Sequence, residues 1–180
     1  MEGLARAQMR RRIQAFMFDY LVILGYLSLL ATAGLFLTLG PVGSGWSALV
    51  STPLRKDLLA FFTTVLPVIA YFAWSERSVD GATWGKRRIG LRVVGPGGCR
   101  LSGGQALAGS VIKFLPWQMA HTALFHIPGF PMVSADPPAW TVWVLGGMWV
   151  LVACYLVGRT RFFGGRTIYD RLSNSHVVEA

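Results

Sequence analysis

Twenty consecutive residues, 139–158, carry no charge. A helix of that length and apolarity covers roughly 30 Å, the hydrocarbon thickness of a bilayer. Two further runs have the same character. Residues 16–39 hold Asp19 as their only charge, and residues 58–74 are uncharged but short for a crossing. Residues 105–127 are interrupted by Lys113, Pro116, Gln118, His121 and His126. That segment is read as a fourth crossing inside a bundle, with a position in the interface as the alternative. The expected fold class is an all-α membrane protein, one domain over residues 1–180, with spans at 16–39, 58–74, 105–127 and 139–158.

Composition agrees. Hydrophobic residues make up 53% of the chain and charged ones 14%, against roughly 25% charged in soluble proteins. That excludes a disordered chain, which combines low hydrophobicity with high net charge. It also argues against a nucleic-acid partner, although Lys and Arg number 17 against eight Asp and Glu, a formal charge of +9. The distribution of the basic residues explains the excess. Arg6, Arg10, Arg11 and Arg12 precede the first run; Arg77, Lys86, Arg87, Arg88, Arg92 and Arg100 lie between the second and third; Arg159, Arg161, Arg166 and Arg171 follow the last. Arg55 and Lys56 alone fall on the opposite side. Basic loops stay cytoplasmic, so the expectation is a multi-pass protein of the cytoplasmic membrane with both termini inside. Its basic face would meet anionic headgroups. The first apolar run is too long for a signal-peptide core and is expected to be retained. Cys99 and Cys154 sit in dissimilar surroundings, and no CxxC pattern occurs.

The polar segments differ from one another. GPVGSG at 40–45 and PGFPMVSADPP at 128–138 are short and rich in turn formers. The 75–104 loop is longer. Residues 89–94 hold the β-branched Ile89, Val93 and Val94 and are bounded by Gly95-Pro96-Gly97-Gly98, which predicts a short strand or hairpin within this loop. Ser102-Gly-Gly-Gln105 has the form of a capping box and predicts a helix start near residue 103. GATWGK at 81–86 lacks the spacing of a phosphate-binding loop, and Arg87 stands where Ser or Thr is required.

Three segments resemble the RDD family: RIQAFMFD at 12–19, GATWGKRRIGLRVV at 81–94 and RTIYDRLSNSHVV at 166–178. The Arg and two Asp of the family's name map onto Arg12, Asp19 and Asp170. Tyr169 stands where members often carry His, and Ser-Asn-Ser at 173–175 replaces a run of smaller residues. The resemblance implies a small multi-span bacterial inner-membrane protein, with transport, including cation/proton exchange, proposed for some members.

Asp19 is the sharpest candidate, because an ionisable residue inside a span is costly unless paired or hydrated. It is read either as a structural pairing partner or as a proton or cation site. Arg12 lies seven residues earlier, on the same helix face but too far for a direct pair, so each is expected to find its partner elsewhere. Asp170 is read as a surface ion pair, or as the third member of a cluster with Arg12 and Asp19 that ties the first helix to the tail. Lys113, Trp117 and His121 share one helix face; Lys113, His121 and Arg166 are the secondary candidates, with packing as the alternative for His121. Trp140, Trp143, Trp149, Trp74 and Tyr71 read as belt or packing aromatics. No triad, carboxylate pair or nucleophile elbow is present, so no enzyme, metal or cofactor is expected. Two functions remain: a small transporter, acting as a homo-oligomer and exchanging cations for protons, or an accessory subunit of a larger membrane complex.

Overall fold

The computed structural model describes residues 9–40, 43–130, 136–157 and 166–180. Arg6, Arg159 and Arg161, counted above for orientation, lie outside them, as do residues 131–135 of the second turn-rich loop. Four long helices dominate: α1 (Met9–Leu39), α3 (Pro53–Glu76), α5 (Gly103–Phe125) and α6 (Ala139–Val157). Between them come α2 (Gly43–Leu49), α4 (Trp84–Arg88) and β1 (Leu91–Val94); α7 (Ile168–Leu172) and β2 (His176–Glu179) follow. Helices α1, α3 and α6 are long and apolar enough to cross a membrane. Helix α5 has the length, at 23 residues, but Lys113, Gln118 and His121 lower its apolarity.

Several boundaries follow from local chemistry. Helix α3 begins at Pro53, earlier than residue 58, because Thr52 caps it and Pro is favoured at the first position. The polar Arg55, Lys56 and Asp57 are therefore helical. Ser102 and Gln105 cap α5 reciprocally: the Gln105 amide donates to Ser102 Oγ at 3.2 Å and the Ser102 amide to Gln105 Oε1 at 3.1 Å. Residues 43–45, part of the turn-rich stretch at 40–45, instead open the short helix α2, Gly43–Leu49.

Two prolines interrupt the long helices, and each leaves a carbonyl without its usual donor. Pro67 deprives the Thr63 carbonyl, and the chain widens into a π-turn at Phe61–Val65. The Tyr26 hydroxyl donates to that carbonyl at 2.6 Å. Pro116 deprives the Ile112 carbonyl, and the Tyr155 hydroxyl donates to it.

The strand expected at 89–94 is present, but it does not form a hairpin within its own loop. It pairs antiparallel with β2, Leu91 opposite Glu179 and Val94 opposite His176. Pro96–Gly98 instead makes a tight 3-10 turn, and the alternation of buried Leu91 and Val93 is completed by Val177 from the far end of the chain.

The chain divides into two units. Unit 1 comprises Met1–Gly25, Val68–Lys113 and Cys154–Ala180. Its core holds Ala15, Ala73, Leu91, Val93, Leu101, Ala106 and Val177. Unit 2 comprises Tyr26–Pro67 and Phe114–Ala153.

Candidate functional site

Unit 1 gathers the charged residues of the three sequence segments around the first turns of α1. Asp19 is 1% exposed, and neutral donors fill its carboxylate. Oδ1 accepts from the Tyr71 hydroxyl at 2.9 Å and from the Gly85 amide at 2.8 Å; Oδ2 accepts from the Thr83 hydroxyl at 2.5 Å. Thr83 is also the N-cap of α4, and the Tyr71 hydroxyl accepts from the Trp84 amide at 3.1 Å. Asp19 thus binds the positive end of α4, where helix amides lack partners. Gly85 makes the approach close enough: a side chain there would run into the Ala15 carbonyl.

The second group is centred on Glu76, the last residue of α3. Its Oε1 accepts from Lys86 Nζ at 2.6 Å and Lys113 Nζ at 2.7 Å. Lys113 Nζ lies 4.6 Å from the Phe72 ring centroid and 5.5 Å from that of Tyr169, so aromatic faces replace water around the ammonium. Burial draws the Lys86 ammonium below the ordinary lysine range, against the pull of Glu76 and with a further push from Lys113.

Arg12 and Asp170 form the third group, paired at 2.6 Å and nearly buried. Thr167 caps α7 through the Asp170 amide. Arg166 donates to the Asp170 carbonyl at 2.9 Å and the Ser175 carbonyl at 3.0 Å, holding the turn into β2. Arg11 joins the same region through Glu179 and the Ile89 carbonyl.

A family model described as the RDD family matches residues 6–174 of the chain. The chain belongs to the RDD family. No curated protein and no solved structure matches it.

Of Arg12, Asp19 and Asp170, the structure pairs Arg12 with Asp170 and gives Asp19 a separate set of partners. Arg12, Lys86 and Lys113 face Asp19, Glu76 and Asp170, so these six buried or nearly buried groups sum to zero charge. Arg12 lies within electrostatic reach of Glu76, and Lys113 within reach of Asp170. Chemically, this RDD cluster can hold the start of α1, the end of α3, the start of α5 and the tail in one register, and it places a Lys–Glu pair between two long helices.

Sequence reasoning missed Glu76, Thr83, Gly85 and the polar role of Tyr71, and counted Lys86 only for orientation. The signal was the ThrTrpGlyLys order at 83–86: a cap, a close-packing glycine and a lysine one turn on. His121, in unit 2, joins none of these groups. Its ring stacks on Phe125 at 5.6 Å and meets Trp117 at 5.7 Å.

Proposed function

We propose that this RDD protein is a small multi-pass transporter of the cytoplasmic membrane that moves a cation or a proton. In this reading α5 is the fourth crossing and both termini are cytoplasmic, as the fourteen-to-two division of basic residues requires. The observation that carries it is Lys113, midway along α5 and paired with Glu76 of α3, a carboxylate it shares with Lys86. Ionisable pairs inside apolar helices are expensive, and they mark ion and proton paths. Asp19 then holds α4, because three donors already occupy its oxygens. A chain of this size calls for a homo-oligomer to enclose a path. The chain is proposed to be non-enzymatic and to need no cofactor.

A second reading, an accessory or assembly subunit, draws on a different observation. The six buried or nearly buried charged groups named above find their partners within the chain, an arrangement suited to a rigid platform for another membrane protein.

Flux in liposomes separates the two. Purified protein is reconstituted as wild type, Lys113→Met and Asp19→Asn, and proton and alkali-cation movement is followed under a pH gradient. Flux in the wild type and its loss in a folded Lys113→Met variant is the result expected. No flux from the wild type with any cation would end the transport reading and favour stable co-purification with a partner.

A further inference from the structure

Two arginines meet where α3 ends and α5 begins. The Arg77 amide donates to the Ala73 carbonyl at 3.1 Å, so Arg77 carries the helical path of α3 one residue further. Trp74 and Arg77 are three positions apart on that path and share a face. The Arg77 guanidinium lies over the Trp74 ring, 5.0 Å from its centroid. A Cβ built on Gly103, the first residue of α5, would sit 3.5 Å from Arg77 Nη1. Arg100 donates from Nε to the Arg77 carbonyl, which brings its charge to the last turn of α3, where helix carbonyls lack partners.

No acid answers these two charges. Residues 75–104 contain Glu76 and Asp80 as their only carboxylates. Glu76 is buried and taken by Lys86 and Lys113, and Asp80 pairs with Arg87 at 3.0 Å. Among the described residues the Arg77 guanidinium has an aromatic face and no hydrogen-bond acceptor, and Arg100 spends Nε alone. Both side chains are exposed. The remaining N–H groups of two guanidinium forks are therefore open to an anion from outside the chain.

Trp74 decides which anion. It is 72% exposed near the end of a helix long and apolar enough to cross a membrane. Tryptophan in that position sits at headgroup level, and the guanidinium stacked on it is held at the same depth, beside lipid phosphates. The planar fork of arginine matches a phosphate with two parallel hydrogen bonds. A zwitterionic lipid would bring its own ammonium up to the arginines. A free phosphate would gain nothing from the ring or from the depth.

We propose that Trp74, Arg77 and Arg100 form a binding site for the phosphate of one anionic phospholipid. The site is more than the general attraction of a basic face, because it has a defined position and a stacked, pre-oriented donor. It rests on α3 crossing the membrane and not on transport, so a protein that moves no ion would still hold the lipid.

Full-length protein in a non-ionic detergent is titrated with phosphatidylglycerol or with phosphatidylcholine of the same acyl chains. Bound lipids are counted by native mass spectrometry, and thermal unfolding is followed in parallel. Wild type is expected to retain one phosphatidylglycerol in preference to phosphatidylcholine and to melt higher in its presence, as a ligand of the folded state requires. Arg77→Gln and Arg100→Gln should each weaken that retention about fivefold. Arg92→Gln, which removes the same charge from an exposed position on β1, should leave it unchanged. Arg77 donates no side-chain hydrogen bond within the chain, so Arg77→Gln should melt like wild type without lipid. It keeps the test valid if Arg100→Gln, which frees the Arg77 carbonyl, fails to fold. Equal retention of the two lipids would overturn the proposal, as would an equal loss in Arg92→Gln, which would reduce the effect to diffuse attraction. Displacement of the lipid by soluble glycerol phosphate would also overturn it and assign the arginines to a dissolved anion.

Discussion

A methyl group at residue 85 would collide with the Ala15 carbonyl and come within 2.8 Å of the Asp19 amide nitrogen and 2.9 Å of its carboxyl carbon. Two of those three atoms are backbone of α1, so relief requires α4 to move off the helix and release Asp19. Gly85→Ala is expected to cost about 1–3 kcal/mol by overpacking, measured as thermal unfolding in detergent; a variant as stable as wild type would contradict the close approach. Glu76 and Lys113 allow a sharper test. Removing one partner of a buried pair leaves an uncompensated charge and costs about 3–5 kcal/mol. Glu76→Gln takes the carboxylate from both Lys86 and Lys113 and should be the strongly destabilising change; Lys113→Met leaves Glu76 with Lys86 and should cost less, and the double variant should cost less than the sum of the two. Additive losses would mean that the two side chains do not compensate each other. That Arg12 and Asp19 would each find partners away from their own helix was legible in the sequence, because helix spacing alone separates them. Glu76 was not. At the edge of an apolar run, nothing local distinguishes a buried acid from one of many loop charges.

Helix–proline conflicts are resolved by tyrosine from another segment. Tyr155 supplies the Ile112 carbonyl with the donor that Pro116 lacks, and Tyr26 does the same for Thr63 below Pro67. A buried carbonyl left unpaired costs about 1–3 kcal/mol, so Tyr155→Phe should destabilise the protein by that amount. In a chain that also carries Pro116→Ala, which restores the amide, the same substitution should be nearly neutral. An equal loss in both backgrounds would sink the assignment. At this scale the sequence was informative wherever the signal was local: the Ser102–Gln105 box set the start of α5, and the strand at 91–94 was visible in its β-branched residues. The strand's partner was not visible, since nothing in residues 89–98 points to residues 176–179. The start of α3 was also missed. Its first turn is polar, and the cap–proline pair at 52–53 signals it better than hydropathy does.

For the whole molecule, the proposed orientation can be checked with a residue already present. Cys99 is exposed in the segment between β1 and α5. In a Cys154→Ser background, a membrane-impermeant maleimide should label Cys99 in inside-out vesicles and spare it in intact cells stripped of their outer membrane. The reverse pattern would invert the topology. Labelling from both sides would mean that the segment does not stay on one face.

The pairing of β1 with β2 also bears on how the protein is made. Eighty-two positions separate Val94 from its partner His176, and the ribosome produces both α5 and α6 in that interval. The first strand must wait, with its edge open, while α5 and α6 are made. Its sheet closes only after they have been delivered. Arg11, engaged with Glu179, is held to the same timetable, as is Arg12 with Asp170. Synthesis of the helices and locking of unit 1 are therefore successive events, and a nascent chain stalled after α6 would not yet be fastened.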